Sequence, residues 1–326
     1  MKLNKKALVL GGSLLFAMGS SSVFATTILK LSHNQTRTHP VHKAMMYMAQ
    51  AAQNYSHGDL VIRIYPDAQL GTQRESLELL QNGAIAMAKS NASELEAFAP
   101  AYGVFNLPYI FKDRAHYYRV MQGSVGEGIL KSSEAQGFIG LTYYDAGARS
   151  FYAKKAIRTP ADLMGLKVRV QPSQSAIAMV KALGGNPTPL AYGELYTALQ
   201  QGVVDAAENN ITALTLNRHG EVAKFSSLDE HTMVPDVLVI STKVWNSLSA
   251  DNQSALKKAC DESMLKMKKL WAETEKVERL KAEKMGVTFI TVDKAPFVKA
   301  VQPMIKKLTE NNPKLAKIVE EINRLR

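Results

Sequence analysis

Short apolar runs alternate with amphipathic stretches along almost the whole chain. Thr27–Ser32 and Leu60–Tyr65 read as strands, separated by a helical pattern from His39 to Tyr55. Gly71 turns the chain into a helix over Gln73–Gln81, and Ala84–Lys89 reads as a third strand. Helical patterns at Arg114–Met121 and Val125–Ala135 lead to a strong strand signal, Phe138–Tyr144. A second series begins near Arg149. Thr159-Pro160-Ala161-Asp162 carries an N-cap, a proline at the first helical position and an acid at the third. Lys167–Val170 follows as a strand, Gln174–Leu183 as a helix, Gly184, Gly185 and Pro187 as a loop, Ala191–Gln200 as a helix and Val203–Ala206 as a short strand. Val237–Ser241 is a further strand. A long amphipathic helix then runs from Asp251 to Lys284, before a strand at Val287–Val292 and two closing helices. Strands alternating with helices predict an α/β fold. Two such series without a flexible linker predict two lobes joined by structured crossings. Ligands of open α/β sheets bind beyond the carboxyl ends of the strands, so facing sheets place a ligand in the cleft between lobes.

The first 25 residues do not belong to this pattern. Lys2, Lys5 and Lys6 precede an apolar stretch from Ala7 to Met18, and Val23-Phe24-Ala25 follows as a small-residue cleavage pattern. This order reads as a secretory signal peptide cut after Ala25, and the apolar run is shorter than the roughly 20 residues a bilayer span requires. The remaining chain is about 300 residues, enough for two domains of roughly 150. Periplasmic localisation is therefore expected. The single cysteine, Cys260, excludes an internal disulfide, so in an oxidising compartment the fold rests on its core. The formal charge is +11, of which the signal lysines supply three. No basic patch interleaved with aromatics accompanies this excess, which argues against nucleic acid. The C-terminal lysines mix with Glu273, Glu275, Glu278 and Glu283, as on a solvated helix face.

The sequence contains no HExxH, CxxC, Walker A or GxSxG motif, and no enzyme activity is expected. His39-Pro40-Val41-His42 lacks a third residue at metal spacing and reads as a surface helix start, so neither metal nor cofactor is expected. Three segments carry polar residues that packing does not explain. Asp145-Ala146-Gly147-Ala148-Arg149 places an arginine after an apolar strand and small residues. Lys167-Val168-Arg169-Val170-Gln171 alternates an arginine with two valines. Asp205-Ala206-Ala207-Glu208-Asn209-Asn210 sets an acid and two amides just after a strand. A buried arginine needs an anion, and its planar fork suits a carboxylate. For each arginine alone a structural ion pair explains the residue equally well; together, at the ends of neighbouring strands, they favour a ligand.

These segments, with Leu70-Gly71 and Glu75, Leu107-Pro108-Tyr109-Ile110-Phe111, Asp162-Leu163-Met164-Gly165-Leu166-Lys167-Val168-Arg169 and Tyr192-Gly193-Glu194-Leu195-Tyr196, stand in an order that resembles a known family. The chain resembles, over essentially its whole mature length, the dicarboxylate-type (DctP-like) solute-binding component of tripartite ATP-independent periplasmic (TRAP) transporters. The resemblance implies a two-lobed periplasmic-binding-protein-like fold, with two mixed sheets flanked by helices. It implies a receptor that closes on a small organic acid and delivers it to the TRAP permease membrane subunits. It implies that Arg169 makes the main salt bridge to the ligand carboxylate, assisted by Arg149 and Asn209. Many dicarboxylate binders have Gln-Glu-Asn-Pro where this chain has Ala207-Glu208-Asn209-Asn210. The doubled asparagine, with His231 and Val234-Pro235-Asp236, is similar to members that bind sugar acids.

The polar groups assigned to the cleft are His33, Glu75, Asn91, Gln171, Asn209 and Asn210, in addition to the two arginines. A C4 dicarboxylate cannot satisfy so many, which points to a hexuronate-like sugar acid. A C4-dicarboxylate receptor, or a ligand receptor for a membrane sensor, is the alternative. Residues 26–147 with 236–275 are expected to form lobe I, and 148–235 with 276–326 lobe II. The crossings fall near Ala146–Arg149 and Val234–Val237, with the long helix as a third connection, in a monomer that closes by hinge motion.

Overall fold

A computed structural model describes residues 26–326; the signal-peptide reading falls outside them. The described strands, in chain order, are β1 (Thr27–Ser32), β2 (Leu60–Tyr65), β3 (Met87–Asn91), β4 (Phe138–Tyr144), β5 (Arg149–Ala153), β6 (Lys167–Val170), β7 (Asn186–Pro189), β8 (Ala206–Asn209), β9 (Phe225–Thr232), β10 (Asp236–Ser241) and β11 (Thr288–Thr291). They form two sheets. One has the order β2-β1-β3-β10-β4 and the other β11-β9-β5-β8-β6-β7. Each is parallel except for one inserted strand: β10 runs antiparallel to β3 and β4, and β5 antiparallel to β8 and β9. Those two strands are the ones the chain enters on crossing between lobes, so the mixed character of the sheets follows from the crossings.

Lobe I is built on the first sheet. On one face, Leu29, Leu31 and Met87 pack against Val41, Met45 and Met48 of the helix Pro40–Tyr55, and against Leu256, Met267 and Trp271 of the helix Ala250–Lys284. On the other, Ala88, Tyr143 and Val237 pack against Leu77, Phe105 and Tyr117. Lobe II has two smaller cores: Val168, Val170, Met179 and Phe297 on one face of its sheet, and Tyr152, Leu195, Leu199 and Leu214 on the other. The long helix belongs to both lobes, because Trp271 is buried in a lobe I core and Ala282 in a lobe II core.

The first crossing is sterically exacting. Gly147 has φ +66°, and a Cβ there would lie 2.7 Å from Trp271 Nε1. Gly147 N donates to Asp145 Oδ1 at 2.8 Å, which fixes the bend. Glycine therefore both allows the left-handed turn and lets the chain pass close to the long helix.

The structure departs from the expected pattern in several places. β9 was not anticipated, because Ser226, Ser227, Asp229 and Glu230 break its apolar run; Ser226, Ser227 and Asp229 are nevertheless buried, with Ser227 Oγ and Asp229 Oδ1 accepting from the backbone amides of Ile157 and Phe151. β7 occupies the expected loop as an edge strand, the position where its two prolines are tolerated. β3 and β8 lie about three residues later than their apolar runs suggest, since their polar ends, Ser90-Asn91 and Glu208-Asn209, remain paired. The final helix, Pro313–Arg324, expected in lobe II, returns instead to lobe I. Ile322 is buried in the core with Phe105 and Tyr117, and His116 Nε2 hydrogen-bonds the Ile322 carbonyl at 2.8 Å.

Candidate functional site

The lobe II wall of the cleft starts with β6. Val168 and Val170 point into a lobe II core, so Arg169 and Gln171 share the opposite side of the strand. Arg169 is wholly buried. Its Nε and Nη2 both donate to the Leu190 carbonyl, at 3.0 and 2.8 Å, and its guanidinium carbon lies 5.6 Å from the centre of the Tyr192 ring. These contacts fix the plane of the fork. Nη1 has no hydrogen-bond partner. Burial lowers the Arg169 pKa from its ordinary value, with Glu208 and Tyr152 opposing, but an arginine stays charged. A buried charged donor left without an acceptor costs about 1–3 kcal/mol or more, and Nη1 of Arg169 is such a donor.

Arg149 begins β5 and is fully engaged. Its Nε and Nη2 hold the Glu208 carboxylate bidentately at 2.6 and 2.8 Å, Nη2 also donates to the Glu208 carbonyl at 2.8 Å, and Nη1 donates to Asn209 Oδ1 at 2.8 Å. The pairing of β5 with β8, Ser150 opposite Asn209, brings these groups together. Glu208 Oε2 also meets His231 Nε2 at 3.2 Å, and His231 Nδ1 meets Asp229 Oδ2 at 2.7 Å. Burial would raise the Glu208 pKa, but Arg149 and His231 outweigh it and hold the carboxyl at about 2. Burial would lower that of His231, but Asp229 and Glu208 raise it to about 9. At neutral pH this is a chain of alternating charges, Asp229–His231–Glu208–Arg149. It leaves Arg169 as the cation in excess on this wall.

The lobe I wall is different. Lys89, buried on β3, donates to Asn34 Oδ1 at 3.1 Å and to Asp236 Oδ1 at 3.3 Å. Asn91 Nδ2 donates to the same Asp236 oxygen at 3.3 Å. The register of β3 against β10, Asn91 opposite Asp236, sets this cluster. The cation is neutralised, yet the cluster still presents a free ammonium hydrogen and a free carboxylate oxygen.

A narrow cavity lies between the walls. Asn34, His39, Gln73, Lys89, Asn91 and Asp236 line it from lobe I, and Arg149, Gln171, Tyr192, Asn209 and Asn210 from lobe II. Two contacts close it: Gln171 Nε2 donates to Asn91 Oδ1 at 3.0 Å, and His39 Nε2 meets Thr212 Oγ1 at 3.1 Å. Thr212 Oγ1 in turn donates to Asn210 Oδ1 at 2.6 Å. His39 Nδ1 accepts from Val41 N, and burial with Lys89 nearby holds its pKa at about 3, so the neutral ring donates through Nε2.

Of the residues nominated from sequence, Arg149, Asn91, Gln171, Asn209 and Asn210 line this cavity; Arg169 does not line it, but its guanidinium lies 5.6 Å from the ring centre of Tyr192, which does. Two do not belong to it. Glu75 is exposed, and its Oε2 accepts from Thr72 N at 2.7 Å and Thr72 Oγ1 at 2.9 Å, a capping box for the helix Gln73–Asn82. His33 is consumed within lobe I. Its Nδ1 accepts from Gln35 N at 3.1 Å and its Nε2 donates to His42 Nδ1 at 2.9 Å; burial and Lys89 hold its pKa at about 2. Sequence reasoning missed Lys89, Asn34, His39 and Asp236 as cavity residues. The available signal was Lys89-Ser90-Asn91, a polar run at the end of a strand whose neighbours are apolar. Among the described residues no group of three or more potential metal ligands is assembled.

The model of bacterial extracellular solute-binding proteins of family 7 (DctP) matches residues 31–312. The fold is also that of solved TRAP periplasmic solute-binding proteins. One from Anaerococcus prevotii, with bound α/β-D-glucuronate, is 37% identical with a TM-score of 0.90, covering 92% of this chain and 98% of its own. One from a Bradyrhizobium species, in complex with α/β-D-galacturonate, is 40% identical with a TM-score of 0.89, covering 91% and 99%. A C4-dicarboxylate-binding periplasmic protein of Rhodobacter capsulatus is 34% identical over 79% of this chain and 78% of its own. With a two-lobed α/β fold and a buried arginine beside an interlobe cavity, the chain belongs to this family, the DctP-type solute-binding proteins of TRAP transporters.

Proposed function

We propose that the protein captures a hexuronate such as D-glucuronate or D-galacturonate in the periplasm, without turning it over, and hands it as a monomer to a TRAP permease. The observation that carries the reading is the unpartnered Nη1 of Arg169, a fixed, buried cation that a carboxylate completes. The bound uronates of the Anaerococcus and Bradyrhizobium proteins support it. The opposite wall argues for hydroxyls rather than a second carboxylate. A hydroxyl both accepts from Lys89 and donates to Asp236, whereas a second carboxylate would face the Asp236 charge. The likeness to the Rhodobacter capsulatus protein supports a C4 dicarboxylate as the competing ligand.

Titration calorimetry with D-glucuronate, D-galacturonate, succinate and D-glucose separates these readings. Tight binding of one or both uronates, with weak succinate and no glucose binding, is expected. Tight succinate binding without uronate binding would establish the dicarboxylate reading instead.

A further inference from the structure

The cavity accounts for only part of the contact between lobes. A second contact is centred on Glu96, at the end of the short helical turn after β3. Its carboxylate reaches across to lobe II at the N-terminus of the helix Gln174–Ala182. Ser175 Oγ donates to Oε1 at 2.5 Å, Ser173 Oγ donates to Oε2, and Ser175 N approaches both oxygens at 3.3 and 3.4 Å. Ser173 is also the N-cap of that helix, accepting from Ala176 N at 3.1 Å. Lobe I prepares the carboxylate for this contact. The buried Asn106 donates to Glu96 Oε2 at 3.1 Å and accepts from Ser93 Oγ at 2.6 Å. Gly103 leaves room for it: a Cβ there would lie 2.9 Å from Glu96 Oε1.

We infer that Glu96, clasping Ser173 and Ser175, is a positioning residue for ligand capture, one that favours lobe closure through contacts separate from the ligand. Three features carry this. The partners lie on opposite lobes, so the contact exists only when the lobes meet. None of Glu96, Ser173 and Ser175 lines the cavity, so a ligand that displaces the Gln171–Asn91 contact leaves the clasp in place. The hydrogen bonds are charge-assisted and aimed at a helix N-terminus, where a negative charge is favoured. A ligand shifts the open–closed equilibrium only by its differential affinity for the two states. A contact made only in the closed state adds to that difference equally for every ligand that the closed cleft accepts.

The test uses Glu96→Gln, Ser175→Ala and the double variant in the full mature protein. Spin labels at cysteines replacing the exposed Glu78 and Lys181, one on a helix of each lobe, report the interlobe distance without ligand. Glu96→Gln is expected to move the ligand-free distribution toward longer distances. It should also weaken D-glucuronate and D-galacturonate by the same factor, about tenfold, chiefly through faster dissociation. The double variant should be little worse than Glu96→Gln, since both changes remove one contact. Folded variants whose ligand-free distances and affinities equal the parent's would overturn the clasp. So would a loss confined to one uronate, which would mean that Glu96 reads the ligand. If the parent binds neither uronate, the hexuronate reading fails, and the ligand-free distances still decide the clasp.

Discussion

The two walls of the cleft both carry buried cations, but they use them differently. On lobe I, Lys89 is neutralised by Asp236, and the pair offers one donor and one acceptor side by side. On lobe II, Arg149 is neutralised by Glu208, itself held by His231 and Asp229, while Arg169 has only a carbonyl and an aromatic ring as partners. Under the proposed function, this difference would seat the carboxylate of a sugar acid on lobe II and its hydroxyls on lobe I. It also separates two arginines that look alike in sequence. Arg149 spends its fork on holding the wall together, whereas Nη1 of Arg169 has no protein partner.

The largest expected effect comes from removing the centre of the lobe II network. Glu208→Ala leaves Arg149 as a buried charge without its bidentate partner, a change that costs about 3–5 kcal/mol of stability. Chemical denaturation of the ligand-free protein measures it, and a loss within experimental error would mean that the network is not structural. Arg169→Ala reverses the emphasis. Truncating one side of a buried charge pair costs about 2–5 kcal/mol of binding, so uronate affinity should fall well over tenfold, by calorimetry, in a protein that unfolds near the parent's midpoint. Equal effects of the two variants on both quantities would erase the distinction between the arginines.

The pH dependence of stability sharpens the comparison further. His231 has a folded pKa raised to about 9 from 6.5, so its contribution is complete below the unfolded value and is lost as pH rises through 9. His33, His39 and His219 have folded pKa values lowered to about 2, 3 and 3, by burial first and by Lys89 or Arg169 next. They take up protons on unfolding below pH 6.5, so stability falls as the solution is acidified. Each proton contributes about 1.4 kcal/mol per pH unit. Unfolding free energies of the ligand-free protein should therefore be greatest near about pH 7 and lower at about pH 5 and about pH 8. In His231→Gln the loss on the alkaline side should disappear while the acid side stays. A monotonic rise from acid to alkaline pH in the parent would contradict the charged state assigned to His231.

The smallest effect belongs to Glu75, which the cleft does not use. Glu75→Ala should lower the unfolding midpoint only slightly, through the lost capping box, and leave uronate affinity unchanged. A tenfold loss of affinity would return Glu75 to the site.

What could be read from sequence follows a physical division. Val168 and Val170 were legible as core positions because they alternate on a short strand, while the burial of Arg169 between them was not, since alternation alone fits a solvated charge equally well. The βα alternation was legible for the same reason, since core-facing positions carry the periodicity. β9 was not, because its buried serines and aspartate are satisfied by backbone amides that periodicity cannot see. Glu75 misled because a capping glutamate and a ligand-binding glutamate look alike after a glycine turn. Lys89 and Asp236 were missed because they form a site only when β10 returns antiparallel beside β3, a pairing between residues 147 positions apart.

The most direct measurement is a crystal structure of the protein grown with D-glucuronate. The account predicts the ligand's carboxylate within hydrogen-bond distance of Arg169 Nη1, with its ring hydroxyls facing Lys89 and Asp236. A carboxylate seated on Lys89, with hydroxyls against Arg169, would contradict it.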